Sequence, residues 1–185
     1  MLEHRYTVMR AAATTTRNVI WNPPISPFVK INVDGAWKPS GKAGLGIVIR
    51  DCGGILLGGE HCHLLRSYVE ETEVGAAFAG LVLANDMGLE NIMVKSDSKV
   101  FVDSVMKKSI RSMWRICPIM EEIWRLSSSF TQVRWKRIHR ETNKAAHEAA
   151  SLGIKRVCRQ RWATQPPPSL VLVLSKDGLP CPLRS

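Results

Sequence analysis
The sequence predicts an α/β fold: a five-stranded mixed β-sheet, three antiparallel strands followed by parallel ones, with α-helices flanking it. Three observations carry this. Residues 29–34 alternate apolar Val29, Ile31 and Val33 with polar Lys30, Asn32 and Asp34, the period of two of a strand with one buried face. Two more strand-like runs follow across short connections, which calls for an antiparallel meander. From about residue 69 the period becomes helical, and helices and strands alternate from there to residue 157, the pattern of parallel crossovers.

The second strand covers residues 44–50, with Leu45, Ile47 and Ile49 on one face. Asp51-Cys52-Gly53-Gly54 is turn chemistry, and residues 55–63 form the third strand. In the helix over residues 69–87, Ala76, Ala77, Gly80, Leu81 and Ala84 make a small-residue face able to lie close on a sheet, and Gly88 ends it. Residues 91–96 are a short buried strand. A helix begins near Ser98 with Val102, Val105 and Met106 on one side. Pro118 opens the next, which runs to residue 126 with Ile119, Ile123 and Leu126 inward. Val133 and Trp135 alternate along a fifth strand, residues 132–137, and Asn143 is set to cap a last helix over residues 144–157. Strands one and four are joined through a helix, so a right-handed crossover places them side by side in parallel.

The predicted domain covers residues 29–160. A proline-rich, extended lead-in, WNPPISPF, precedes it at residues 21–28. Residues 1–20 read as an irregular leader: they lack the apolar core of a secretory signal, and Glu3 and shortness argue against a transit peptide despite three arginines. Residues 161–185 read as a proline-containing tail with one apolar burst at residues 170–174.

Hydrophobic residues make up 45% and charged residues 23%, the balance of a folded domain rather than a disordered chain. No apolar run approaches the roughly 18 residues needed to span a bilayer, so no membrane partner is expected. Five scattered cysteines do not form a disulfide framework and fit a reducing, intracellular setting, nucleus or cytoplasm first. His61-Cys62-His63 lacks the spaced partners of a zinc site. The net charge of +10 favours a polyanionic partner, nucleic acid first.

Three acids gain meaning on this frame. Asp34 ends strand one, Glu73 lies in the first turns of the first helix, and Asp97 follows strand four in VKSDS. Singly, each has a plain reading: a turn residue, part of a solvated acidic cluster with Glu70 and Glu71, a cap before a helix. Jointly, the topology brings all three to one spot. Converging carboxylates repel unless cations neutralise them, and an oxygen-rich cluster suits Mg²⁺.

The motifs WNPP, KINVDGAW, GLGIVIRDCGG, TEVGAAFAGLVLANDMGLENIMVKSDSKVFVDSV and RETNKAAHEAA, in this order and spacing, resemble the ribonuclease H type 1 domain in the reverse-transcriptase-like form abundant in plants. The resemblance spans residues 21–152, and WATQPPP is similar to that family's C-terminal end. It implies a ribonuclease H-like fold and an endonuclease, a hydrolase cutting the RNA strand of RNA–DNA hybrids with two Mg²⁺ or Mn²⁺ ions. It also implies that Asp34, Glu73 and Asp97 are the catalytic metal ligands, and that Gly35 lets backbone approach the nucleic acid. The family's fourth acid falls in an N-x-x-A-D run. Here the run is NKAAH, which puts His147 at that position. Imidazole is a poor ligand for Mg²⁺ and acceptable to Mn²⁺, so His147 stands either as a fourth ligand or as an ordinary helix-surface residue. His139 lies where bacterial-type enzymes carry a mobile histidine.

Basic residues gather late: Arg134, Lys136, Arg137, Arg140, Lys144, Lys155, Arg156, Arg159 and Arg161. On one face they would track phosphates, with Arg140, Asn143 and Lys144 nearest the acids. Trp37 either stacks on nucleic acid or packs against the hairpin. The expected protein is a monomeric hybrid nuclease. The alternatives are a binding module with little or no turnover, for which NKAAH argues, and a fragment of a retroelement.

Overall fold
The computed structural model describes residues 20–108 and 114–177. Residues 1–19 of the leader and the last residues of the tail, Cys181 among them, lie outside them. The sheet order is β5-β4-β1-β2-β3-β6. Strand β1 (Val29–Trp37) is central, antiparallel to β2 (Lys42–Arg50) and parallel to β4 (Asn91–Ser96), as the sequence requires. Strand β3 (Leu56–Leu65) completes the meander, and β5 (Gln132–Arg137) adds in parallel to β4.

The alternation along β1 sorts its side chains onto two faces. Ile31 and Val33, both fully buried, meet helix α1 (Val69–Asp86), which packs with α2 (Lys99–Lys107) and α3 (Cys117–Ser127) on that side. Each such side chain contributes about 1.5–3 kcal/mol by leaving water. Gly80 on α1 has no room for a Cβ, which would lie 2.8 Å from Val33 Cγ1. This is the small-residue face read from the sequence, letting helix and sheet approach closely. The helix stops at Gly88, whose φ of +68° suits the left-handed C-terminal position. Ser98 caps α2 by accepting from the Phe101 N–H.

Lys30, Asn32 and Asp34 point to the other face, toward helix α4 (Lys144–Lys155). Gly44 and Gly46 of β2 lie directly beneath that helix, and a Cβ on either would overlap the carbonyls of Ala150 and Ala146. Val48, Leu56, Ala145 and Ala149 form a second core there.

That second core also takes in the predicted tail. The sheet has six strands, not five: β6 (Arg159–Trp162) pairs antiparallel with β3. Its anchor is Glu60, only 1% exposed, whose carboxylate accepts from Arg159 Nε at 2.8 Å and Arg161 Nε at 2.6 Å. The apolar burst is helix α5 (Pro168–Lys176), with Leu170 and Leu174 buried beside Trp162. The folded unit therefore extends past residue 160 to the end of α5. None of the helices among the described residues is long and apolar enough to cross a membrane.

Candidate functional site
Asp34, Glu73 and Asp97 come together. Each offers a carboxylate oxygen, and the three atoms lie within 4.8 Å of one another. Asp34 is delivered by the α4 face of β1, and Asp97 follows the parallel neighbour β4. Glu73 arrives from the opposite face, over Gly35. A Cβ on Gly35 would lie 2.8 Å from the Thr72 carbonyl carbon and 2.9 Å from the Glu73 nitrogen. The backbone that needs the room at Gly35 in this structure is the first turn of α1.

Burial and the two neighbouring acids push the Glu73 carboxyl up to about 8, against a hydrogen bond from the Gly35 backbone that lowers it. Its Oε2 is buried without a hydrogen-bond partner. Burial also raises the Asp34 carboxyl, while His147 pulls it down. A cavity of about 230 Å³ opens beside Glu73 and Asp97, lined by Val69, Glu70, Ser98 and Phe101.

His147 is neither a member of the carboxylate cluster nor a surface bystander. Its Nδ1 lies 2.8 Å from Asp34 Oδ2, and its Nε2 lies 3.3 Å from the Arg140 guanidinium. The neutral tautomer satisfies both contacts, with Nδ1–H donating to Asp34 and Nε2 accepting from Arg140. The bond to Asp34 raises the imidazole above its ordinary value.

Asn143 departs from expectation. It occupies the cap position of α4, but its side chain makes no cap hydrogen bond and is buried. Its amide donates to the Val33 carbonyl at 3.0 Å and to Asp97 at 3.3 Å, and its oxygen accepts from Asn32. The Trp21 indole donates to Asn32 at 2.9 Å. Asn143 therefore fixes Asp97 and the start of α4. Asn32 was missed from the sequence, although an amide among apolar strand residues was a signal of a buried polar network.

The late basic residues do not share one face. Arg134, Lys136 and Arg137 lie on β5 at one sheet edge, and Arg159 and Arg161 on β6 at the other, tied to Glu60 and Asp86. Arg134 sits over the Phe28 ring at 3.9 Å. Arg140 stands beside the acids through His147, and Lys144 pairs with Glu141 at 2.8 Å on the exposed first turn of α4. Trp37 packs against the hairpin end, donating to the Arg66 carbonyl at 3.0 Å.

Asp34 does not end its strand as the sequence suggests, since β1 runs on to Trp37 against β2, but it lies just past the last pair with β4. A central strand flanked by one antiparallel and one parallel neighbour, with three carboxylates gathered where the parallel pairing stops, defines a ribonuclease H-type domain. The chain belongs to the reverse transcriptase-like family, whose model matches residues 32–153. A protein of Arabidopsis thaliana named "Putative ribonuclease H protein" is 29% identical over 140 residues, 73% of this chain and 22% of that protein, so the chain spans about a fifth of that relative. The crystal structure of RNase H1 from the halophilic archaeon Halobacterium salinarum superposes with a TM-score of 0.66 at 21% identity, covering 69% of this chain and 98% of that one. LC11-RNase H1, solved in complex with an RNA/DNA hybrid, gives 0.64 at 21% identity, covering 69% and 96%. These likenesses establish the ribonuclease H fold.

Proposed function
We propose that the protein is a divalent-metal-dependent endonuclease that hydrolyses the RNA strand of RNA–DNA hybrids. The observation that carries this reading is the convergence of Asp34, Glu73 and Asp97, with a buried Glu73 oxygen that has no protein partner. Hard carboxylate oxygens held this close suit Mg²⁺ or Mn²⁺. When bound, a pair of such ions would activate water and offset charge on the phosphodiester. The hybrid in the LC11-RNase H1 structure supports the substrate class.

The chain's own residues divide the remaining work. Asp34, Glu73 and Asp97 would hold the ions. His147 takes one oxygen of Asp34, which fixes that carboxylate and leaves the site one negative charge short of a four-acid version. With one hard oxygen fewer, the site should serve Mn²⁺, which accepts mixed ligand sets, better than Mg²⁺. Arg140 and Lys144, exposed near the acids, would meet phosphates, Lys144 by giving up its pair with Glu141. Selection of RNA requires contacts to 2′-hydroxyls.

A second reading, a binding module with little turnover, is favoured by one observation: the fourth position carries a histidine engaged with Asp34. A hybrid with end-labelled RNA separates the two. The nuclease reading expects RNA-strand products with Mn²⁺ or Mg²⁺, none with chelator, and none from Asp34→Asn, which still binds. Hybrid that is bound but uncut with either ion leaves the binding module.

A further inference from the structure
A second feature lies on the same sheet face as Asp34, behind the Asn32–Asn143 pair. Lys30 of β1, Lys95 of β4 and Lys136 of β5 line a pocket of about 340 Å³ whose walls are Trp21, Pro23, Pro24, Met93 and Ile138. The register sets their spacing: Asn32 pairs with Lys95, and Lys95 pairs directly with Lys136. Like charges opposite each other on neighbouring strands destabilise a sheet. Lys30 and Lys95 are moreover buried, with 8% and 6% exposure, and buried charge is costly unless compensated.

Compensation from this chain is thin. No carboxylate lines the pocket, and among the described residues none of the three lysines has an ion-pair partner. Lys30 Nζ donates to the Asn22 carbonyl and lies 4.6 Å from the centre of the Trp21 ring. Burial and the surrounding cations hold Lys30 down to about 8. The Trp21–Ile25 lead-in closes one side, and apolar walls strengthen any attraction between an ammonium and an anion inside. Three convergent ammonium groups suit a multiply charged oxyanion with several acceptor oxygens better than a single carboxylate.

We propose that the pocket lined by Lys30, Lys95 and Lys136 is a phosphate-binding site, taking either a backbone phosphate of a bound nucleic acid or a free phosphate compound. Lys95, in β4, lies two residues before Asp97, which follows that strand, a span of about 7 Å in extended chain, so a nucleic-acid strand crossing the acids can reach it. The backbone source rests on the proposed function; the free-phosphate source does not.

The test uses the full chain without metal and pyrophosphate as the probe. Calorimetry should give one site, weakened about tenfold or more by Lys95→Gln and by Lys136→Gln, and unchanged by Lys176→Gln on the exposed face of α5. Because these glutamines remove repulsion, the melting temperature without anion should hold or rise, which separates lost binding from lost folding. Hybrid binding distinguishes the sources. If the backbone fills the pocket, pyrophosphate competes with hybrid, and each glutamine lowers the salt slope of hybrid affinity by about one. If hybrid affinity is unchanged while pyrophosphate binding is lost, a free phosphate compound is the ligand. No pyrophosphate binding by wild type, or binding that both glutamine variants retain in full, overturns the site. Hybrid cleavage, assayed apart, is untouched by that failure.

Discussion

The Nδ1 of His147 lies 2.8 Å from Oδ2 of Asp34, so a helix α4 side chain grips a carboxylate inside the central strand, two residues past its last pairing with β4. Glu73 has no such side-chain hydrogen bond, and its carboxyl is pushed up to about 8 by burial and then by Asp34 and Asp97.

That imbalance makes stability depend on pH. Between the ordinary glutamate value of 4.5 and about 8, the folded state binds more protons at Glu73 than the unfolded state. Stability of metal-free protein should therefore fall as pH rises through this window. His147, raised by Asp34, acts in the same direction, since its contribution is complete below its ordinary value and is lost as pH passes the folded one. Thermal melts from pH 5 to 8 with chelator should show the decline, and Mn²⁺ should recover more stability at pH 8 than at pH 5. Glu73→Gln should flatten the profile and raise the metal-free melting temperature at pH 8, by about 2–4 °C for each kcal/mol gained. A profile equally steep in Glu73→Gln would place the titration elsewhere.

Gly35→Ala tests how Glu73 is delivered. The new Cβ would meet the α1 backbone at Thr72 and Glu73, so the helix start must shift. Mn²⁺ binding by calorimetry should weaken about tenfold or more, while the far-ultraviolet circular dichroism stays close to wild type. Unchanged Mn²⁺ affinity would show that the close approach is dispensable.

Asn143→Ala removes a buried amide that serves Asn32, the Val33 carbonyl and Asp97 together. Leaving such groups unpaired should destabilise by about 2–3 kcal/mol in urea titrations, with Asp97 freed to move. A loss under about half a kcal/mol would mean that water replaces the amide without penalty.

The tail is predicted to be structural. Glu60→Gln should destabilise by about 1–2 kcal/mol, because two half-exposed arginines then lose the charge that holds β6 on β3. Truncation before Arg159 should be worse, since it also exposes Val48 and Leu56. A truncated chain that melts cooperatively at the wild-type temperature would contradict this account.

Much of this was legible in the sequence. The strands over residues 91–96 and 132–137 appear as expected because apolar residues recur in them with no competing pattern. The three acids were placed by topology and by resemblance to ribonuclease H. Strand β6 was not legible: Arg-Gln-Arg carries no strand signal, and its place is dictated by Glu60, a residue 99 positions away from Arg159. Asn143 looked like a cap because cap preference is local, whereas its partners Val33 and Asp97 come from elsewhere in the chain. The basic residues looked like one surface because sequence proximity hides that β5 and β6 occupy opposite edges of the sheet.

The central claim is that Asp34, Glu73 and Asp97 form a metal-dependent hybrid nuclease site in which His147 stands at the fourth position. Its most direct test is the rate of RNA-strand cleavage in a labelled RNA–DNA hybrid, measured in Mg²⁺ and in Mn²⁺ for wild type and His147→Asp. The account predicts slow wild-type cleavage that is faster in Mn²⁺, and a gain in Mg²⁺ for His147→Asp because a hard carboxylate oxygen is added where an imidazole now hydrogen-bonds Asp34. Wild type inert in both metals, with no rescue by His147→Asp, would contradict it.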